Sequence, residues 1–177
     1  MSDKTFPLGR LVILDYNDTL VNTPFIDHKP LHILPGVQKV LNMVKQQDPT
    51  TTLAVAMNAG GVARGYSTEV ATRREVENIL TPLHIDIIEI SYGYPWPKAG
   101  NERYNTPEML EDRKPNTGMI KRLMEACDAT PRNTILVGDS EEEDRQTALK
   151  AGIPFVYASR FFSSLHMHFF DTELPKE

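Results

Sequence analysis

Five short apolar runs alternate with stretches of helical periodicity, and this alternation restricts the possible folds more than any other feature of the chain. The runs that predict strands are residues 10–15, 52–57, 84–90, 134–138 and 154–158. Between them, apolar residues recur at the i, i+3, i+4, i+7 spacing of one buried helix face, beginning at Val37, Val76 and Ile120. Nearly continuous apolar strands indicate a sheet covered on both faces. The pattern therefore predicts a doubly wound, Rossmann-like α/β fold with a parallel sheet of about five strands.

The length and composition predict one ordinary globular domain over residues 1–177. A chain of 177 residues can build one real core, and its 40% hydrophobic and 24% charged residues are typical of such domains. No apolar run approaches the roughly 20 residues of a membrane helix, so we expect no membrane span. The formal net charge of −5 makes nucleic acid an improbable partner, because phosphate backbones are held by surplus Lys and Arg.

The first nine residues and the cysteine count bear on the compartment. Residues 1–9 are polar and lack the apolar segment of a secretory signal. Cys127 is the single cysteine of the chain, which excludes an intramolecular disulfide and fits a reducing environment. We therefore expect a cytoplasmic protein.

Polar residues follow three of the predicted strands. Asp15-Tyr16-Asn17-Asp18-Thr19 follows the first, the glycine-rich "MNAGGVARG" follows the second, and "GDSEEED" follows the fourth. Each can be a polar turn after a buried strand. Because the carboxyl ends of parallel strands share one edge of the sheet, where ligands bind in such folds, their coincidence favours a functional site.

Four of these segments resemble motifs of the haloacid dehalogenase superfamily of phosphotransferases. "DYNDTL" is similar to its first motif, D-x-D-x-T-L, "RKP" at 113–115 to its lysine motif, and "VGDSEEED" to its acidic motif. "NAGGVARGYSTE", residues 58–69, resembles the histidinol-phosphate and heptose-bisphosphate phosphatase branch. The four motifs occur in the family's order across residues 10–158, which implies a haloacid-dehalogenase-like fold.

The resemblance implies a reaction and a metal site. Asp15 takes the place of the nucleophile that forms an aspartyl phosphate, and Lys114 would neutralise the nucleophile and the transferring phosphoryl group. Mg²⁺ would be held by Asp15, the backbone carbonyl of Asn17 and Asp139, with Asp144 as a supporting partner. Because Lys114 precedes Pro115, we also expect it at a helix start, near the positive end of the helix dipole.

A second set of residues is implied for phosphate and substrate binding. It comprises Thr19, Asn58, Arg64, Arg113 and Lys114. Arg64 and Arg113 are candidates for binding a second phosphate or a substrate oxygen. Each can equally be an ordinary surface arginine. The substrate implied is a small phosphorylated metabolite.

Other charged residues near these motifs have simpler interpretations. Asp139 can be a helix N-cap, Asp144 can be a solvated helix residue, and Lys114 can be a surface lysine. Glu141, Glu142 and Glu143 are interpreted as favourable charges in a first helical turn. His166 and His168 have the spacing of one strand face, but without a third ligand we interpret them as structural.

Three departures from the family pattern bear on activity. Asn17 stands where the phosphatases carry an Asp that protonates the leaving alcohol, and an amide cannot do so, whether the change is natural or engineered. Met57 stands where the second strand usually ends in a phosphate-binding Ser or Thr. Residues 91–113 contain no Cys or His, so the zinc loop common in the heptose-phosphatase branch is absent.

The stretches between the motifs are too short for a cap domain. The site is therefore expected to be open, and aromatic residues of the 91–113 loop can form a substrate wall or pack against the domain: Tyr92, Tyr94, Trp96 and Tyr104. The sequence favours a Mg²⁺-dependent phosphatase. A non-catalytic phosphate-ligand or protein-binding module is the main alternative, and a nucleic-acid end phosphatase is a third.

Overall fold

The computed structural model of the protein describes residues 10–23, 30–95 and 100–163. Trp96, His166 and His168 lie outside the described residues.

Five parallel strands form a single sheet, which confirms the predicted fold class. They are β1 (Leu11–Leu14), β2 (Thr52–Asn58), β3 (Ile87–Ser91), β4 (Thr134–Gly138) and β5 (Phe155–Tyr157). Their spatial order is β3-β2-β1-β4-β5. The chain runs from β1 through β2 to β3 at one edge of the sheet, then returns to β4 and continues to β5 at the other edge. The strand order therefore reverses between β1 and β4. Ligands bind at this position in sheets of this kind.

Seven helices accompany the strands in the described part of the chain. They are α1 (Val37–Gln47), α2 (Gly60–Ala63), α3 (Glu69–Leu80), α4 (Pro107–Asp112), α5 (Gly118–Ala126), α6 (Gln146–Ala151) and α7 (Ala158–Ser163). Short 3-10 turns follow α3 and precede α4 and β4. Among the described residues, none of the helices has both the length and the apolar character needed to cross a membrane.

The core lies on both faces of the sheet because alternate strand residues point to opposite sides. Val12 and Leu14 of β1 belong to one cluster with apolar residues of α1 and α3, whereas Leu11 and Ile13 belong to a second cluster with residues of α5 and α6. All four β1 side chains are fully buried. Each contributes about 1.5–3 kcal/mol relative to an exposed position, so β1 is a rigid base for the residues that follow it.

The third strand begins at Ile87, three residues later than the apolar run predicted. His84 adopts a left-handed backbone conformation with φ of 53°, which ends the preceding turn. The Asp86 carboxylate then accepts hydrogen bonds from the Leu53 backbone N–H (2.8 Å) and the Lys45 ammonium (2.7 Å). Asp86 lies in the segment that the apolar pattern assigns to the strand, but its side chain makes these polar contacts before the strand begins.

Lys114 does not lie at a helix start, so that part of the prediction is wrong. It follows α4 in a turn in which the Asn116 N–H donates to the Arg113 carbonyl (2.8 Å) and the Asn116 side chain donates to the Leu110 carbonyl (2.9 Å). These bonds complete the turn before α5 begins at Gly118.

Within the described residues, only short elements separate the motifs. One helix, α1, lies between β1 and β2, and one 3-10 turn and α4 lie between β3 and Lys114. No cap domain is built from these described segments, in agreement with the predicted open edge of the sheet.

Candidate active site

Asp15 is held at the end of the central strand by backbone hydrogen bonds. Its N–H donates to the Val137 carbonyl of β4 (2.9 Å). The next carbonyl, of Tyr16, accepts from the N–H groups of Leu20 (3.0 Å) and Val21 (3.1 Å), which closes a compact turn. The backbone around Asp15 is therefore fixed from both sides before any ligand binds.

Lys114 forms a buried ionic cluster with two carboxylates. Its Nζ lies 2.5 Å from Asp15 Oδ1 and 2.6 Å from Asp144 Oδ1. Lys114 and Asp144 are each 1% exposed and Asp15 is 7% exposed, which excludes the alternatives of a surface lysine and a solvated Asp144. Taking charges out of water costs free energy that their pairing repays only in part, so this cluster is a poor way to gain stability and a typical feature of a reactive site.

A π-helical turn, Glu141–Arg145, carries Asp144 into this cluster. The Ser140 hydroxyl accepts from the Glu143 N–H (3.0 Å), and the Ser140 N–H donates to Asp144 Oδ2 (3.1 Å). Ser140 rather than Asp139 is therefore the N-cap. A β-carbon at Gly138 would overlap the Asp144 carboxylate, so the strand must end in glycine for Asp144 to reach Lys114. Such π-turns are frequent at functional sites.

Asp139 adds a third carboxylate at the exposed side of the cluster. Oxygen atoms of Asp15, Asp139 and Asp144 all lie within 4.8 Å of one another. The buried Thr19 hydroxyl donates a long hydrogen bond of 3.5 Å to Asp139 Oδ1, joining the loops after β1 and β4. Three hard oxygen donors around one point are the ligand set that Mg²⁺ prefers.

The charges of this cluster do not balance within the protein. Burial, opposed by Lys114 and reinforced by Asp144, raises the pKa of Asp15 to about 7. Burial alone would lower the pKa of Lys114, but Asp15 and Asp144 outweigh it and the pKa is raised, so the ammonium stays charged. Partial desolvation, followed by the charges of Asp144 and Asp18, also raises the pKa of Asp139. One cation faces several carboxylates, and a divalent cation fits this excess of negative charge.

Asn58 holds the backbone of Lys114. Its side-chain oxygen accepts from the Lys114 N–H (3.0 Å), and its side-chain nitrogen donates to the Lys114 carbonyl (3.0 Å) and to Glu143 Oε2 (2.9 Å). The other Glu143 oxygen accepts from Arg113 Nη2 (2.9 Å). Glu143 does lie in the first turn, as predicted, but its carboxylate also joins Asn58 to Arg113, which the prediction did not include.

Arg64 and Arg113 lie close to the Tyr94 ring. Their guanidinium carbons are 5.3 Å and 5.0 Å from its centroid, within the range of cation–π attraction. A β-carbon at Gly60 would overlap this ring, so a glycine is needed where Tyr94 packs. A cavity of about 390 Å³ opens between Tyr94, Arg113, Lys114 and Glu143. Tyr94 thus packs against the domain and also lines a cavity beside the lysine.

The other described aromatic residues of this loop contact α3. The hydroxyl of Tyr92 donates to the Glu69 carbonyl (3.3 Å), and the hydroxyl of Tyr104 donates to the Glu69 carboxylate (2.9 Å). These contacts agree with the alternative in which Tyr92 and Tyr104 pack against the domain.

Asn17 and Met57 occupy different environments. Asn17 is half-buried and pairs by its backbone with Val21 in the turn after Asp15. Met57 is 9% exposed and packs in the larger core cluster, together with Tyr16. Strand alternation explains this position: continuing the register of Leu14 with Val55 places Asn58, not Met57, on the face of Asp15. The same alternation was the available sequence signal that Asn58 faces the site.

Comparisons with known proteins agree with this geometry. Residues 112–159, from just before Lys114 to β5, match the HAD-hydrolase-like family model. Over this segment the chain is thus similar to the haloacid dehalogenase superfamily. Its fold, its four motifs in order and the clustering of Asp15, Lys114, Asp139 and Asp144 are all consistent with that similarity.

Named relatives and solved structures extend the likeness over most of the chain. It is 29% identical over 153 residues to a heptose-1,7-bisphosphate 7-phosphatase of Haemophilus ducreyi, covering 81% of this chain and 79% of the relative. It is 28% identical over 130 residues to a probable enzyme of that name from Thermoplasma volcanium, covering 72% and 84%.

The fold is also similar to the D,D-heptose 1,7-bisphosphate phosphatase of B. bronchiseptica, whose crystal structure contains magnesium and phosphate. The TM-score is 0.63 at 23% identity, and the alignment covers 94% of this chain and 88% of the other. A second solved structure, a HAD-like phosphatase from Mesorhizobium loti described as putative, aligns with a TM-score of 0.67 at 20% identity, covering 87% and 74%.

Proposed function

We propose that the protein is a Mg²⁺-dependent phosphatase that hydrolyses a small phosphorylated metabolite through an aspartyl-phosphate intermediate on Asp15. The observation that carries the proposal is the buried contact of Lys114 with both Asp15 and Asp144, beside the exposed Asp139. The similarity to the superfamily and the phosphatase names of the relatives support it.

The nucleophile in this proposal is the Asp15 carboxylate. One of its oxygens forms a bond to phosphorus while the bond from phosphorus to the substrate oxygen breaks, and the leaving oxygen takes its proton from solvent water because Asn17 has none to donate. Water then attacks the acyl phosphate, which releases inorganic phosphate and regenerates the carboxylate. Splitting the hydrolysis into two steps lowers the barrier of each. Lys114 remains charged and is already oriented, so its positive charge offsets the negative charge that gathers on the transferring group.

The metal ion would be held by Asp15, the backbone carbonyl of Asn17 and Asp139, with Asp144 supporting Lys114 and the acidic turn. The donor set is all oxygen. Burial, opposed by Lys114 and reinforced by Asp144, raises the pKa of Asp15, and a cation beside this carboxylate would favour its charged form. When bound, Mg²⁺ would supply positive charge that lets an anionic phosphate approach an anionic nucleophile.

The substrate is proposed to be a phosphorylated sugar or similar metabolite, as the names of the relatives suggest. The cavity beside Lys114 presents Arg113 and Tyr94, and Arg64 lies on the other side of that ring. Arg64 and Arg113 remain candidates for contacting a further anionic group of the substrate. Thr19 is a candidate for supporting the phosphate through the loop that it shares with Asp139.

The test is the turnover of an aryl phosphate with and without Mg²⁺ by the native protein, Asn17→Asp and Asp15→Ala. We expect Mg²⁺-dependent turnover that Asp15→Ala abolishes. An aryl leaving group is chosen because it departs with little help from a proton donor. Absence of turnover by both the native protein and Asn17→Asp at every Mg²⁺ concentration would contradict the proposal.

A non-catalytic phosphate-binding protein is the second candidate, and Asn17 favours it because an amide cannot serve as general acid or base. Calorimetric binding of inorganic phosphate in the presence of Mg²⁺, without turnover of any phosphate ester, would support this function instead. Tighter binding of end-phosphorylated oligonucleotides than of unphosphorylated ones would support the third candidate, a nucleic-acid end phosphatase.

A further inference from the structure

We infer that Glu143 is a positioning residue that holds the lysine-bearing segment of the site. Its two carboxylate oxygens join Arg113 to Asn58, and Asn58 in turn grips both backbone polar groups of Lys114. The catalytic consequence rests on the proposed phosphatase function, whereas the positioning itself does not.

Glu143 reinforces the orientation of the Asn58 amide that Lys114 requires. The side-chain nitrogen of Asn58 has two acceptors, the Lys114 carbonyl and Glu143 Oε2, and its oxygen has one donor, the Lys114 N–H. Rotating the amide by half a turn would place its oxygen against two acceptors, the Lys114 carbonyl and Glu143 Oε2. It would also place its nitrogen against a donor, the Lys114 N–H. The Glu143 carboxylate therefore reinforces the single orientation of Asn58 that can hold Lys114.

The Glu143 carboxylate does not stabilise the π-helical turn in which Glu143 lies. The Glu143 N–H donates to the Ser140 hydroxyl (3.0 Å), and its carbonyl accepts from the Thr147 hydroxyl (2.7 Å). Both bonds involve the backbone and persist when the side chain is shortened. Because the side chain is 38% exposed, its ion pair with Arg113 adds little to stability. Removing the carboxylate should leave the fold intact and release its two partners.

Small displacements of Lys114 matter because its ammonium is shared between two carboxylates. The Nζ–oxygen distances of 2.5 Å and 2.6 Å leave no room for movement towards one without loss of the other. A misplacement of about 1 Å in a catalytic group can reduce rates by about 10²-fold. Partners that orient a reactive group from outside commonly contribute about 10–100-fold to activity.

The kinetic test compares Glu143→Ala, Glu143→Gln and the control Glu142→Ala, which removes the same charge from an exposed neighbour in the same turn. For Glu143→Ala we expect kcat to fall about 10–100-fold with KM nearly unchanged, because Lys114 acts on the transferring group. Glu143→Gln should lose less, since its amide oxygen can still accept from Asn58. Glu142→Ala should retain native kinetics. Unchanged kcat in both Glu143 variants, or a gain in kcat/KM from a released Arg113, would overturn the inference.

A second measurement is independent of activity. Hydrogen exchange of the Lys114 backbone amide, followed by NMR, reports its bond to Asn58 directly. We expect exchange about tenfold faster in Glu143→Ala than in the native protein, a smaller increase in Glu143→Gln and no change in Glu142→Ala. Equal exchange in all four proteins would overturn the inference even if the native protein is an active phosphatase. Faster exchange in the Glu143 variants of an inactive native protein would retain the positioning and reject the proposed function.

Discussion

The buried and exposed halves of the candidate site differ in how completely their charges are paired. Lys114 and Asp144 are each 1% exposed, and both carboxylates of the buried half lie within hydrogen-bonding distance of the lysine. In the exposed half, Asp139 receives one long hydrogen bond from Thr19, and its pKa is raised by partial desolvation and by neighbouring carboxylates. The buried half is therefore organised before ligands bind, whereas the exposed half carries negative charge that a cation can compensate.

This contrast separates two tasks of a phosphoryl-transfer site. Pre-organised charge lowers the barrier because no reorganisation is needed as the reaction proceeds, and that requires the rigid, desolvated half. Metal ion, substrate and leaving group must enter and depart, and that requires the exposed half. Substitutions in the two halves should therefore differ in their effects on stability as well as on rate.

Loss of the nucleophile should have the largest effect. Asp15→Ala removes the group that would accept the phosphoryl group, and we expect turnover of aryl phosphate to fall at least about 10⁴-fold. The exposed Asp128, paired at 3.5 Å with Arg10 on the surface, offers a control of equal charge in Asp128→Ala. Residual activity within tenfold of the native protein in Asp15→Ala would reject Asp15 as the nucleophile.

Restoring a proton donor in the exposed half should have the next largest effect. An alkoxide leaving group needs a proton in the transition state, so Asn17→Asp should raise turnover of alkyl phosphates about 10²–10⁴-fold. The transfer step of aryl phosphates should change much less. Pre-steady-state rates for both substrate types measure this difference, and equal gains would show that Asn17 is not simply a missing acid.

Stability should distinguish the two halves most clearly. Lys114→Met leaves two carboxylates buried without a cation, and we expect the free energy of unfolding to fall by about 3–5 kcal/mol. Asp139→Asn removes an exposed charge that is repelled by its neighbours, so stability should change by less than about 0.5 kcal/mol. Urea unfolding at neutral pH without Mg²⁺ measures both. Similar losses in the two variants would contradict the division of the site.

Per pH unit, the pH dependence of stability should be smaller than the loss expected for Lys114→Met. Burial, opposed by Lys114 and reinforced by Asp144, raises the pKa of Asp15 from 3.8 to about 7. The folded state therefore binds this proton more tightly than the unfolded state, and the stabilisation is fully present below pH 4 and declines as the pH rises to about 7. Without Mg²⁺, stability should fall across this range by at most roughly 1.4 kcal/mol per pH unit relative to Asp15→Asn. Parallel pH profiles for the two proteins would exclude a raised pKa at Asp15.

The sequence was sufficient to predict the sheet and the clustering of its polar ends, because both follow from local patterns. Asp15 and Asp139 directly follow apolar strands, and neighbouring parallel strands must bring such residues together. The contacts of Glu143 could not be predicted in the same way. They join residues 30 and 85 positions apart and depend on the π-helical turn, which has no distinctive local pattern. The start of β3 was also missed, because polar contacts of Asp86 to Leu53 and Lys45 interrupt an apolar run.

The most direct test of the central claim is intact-protein mass spectrometry, with peptide mapping, of protein quenched in acid during turnover of an aryl phosphate. With Mg²⁺ present, the account predicts a mass increase of one phosphoryl group located on Asp15, and its disappearance in Asp15→Ala. Asn17 should favour accumulation of this adduct, because the second step also lacks a general base. Turnover without an adduct on Asp15, or with the phosphoryl group on another residue, would contradict the account.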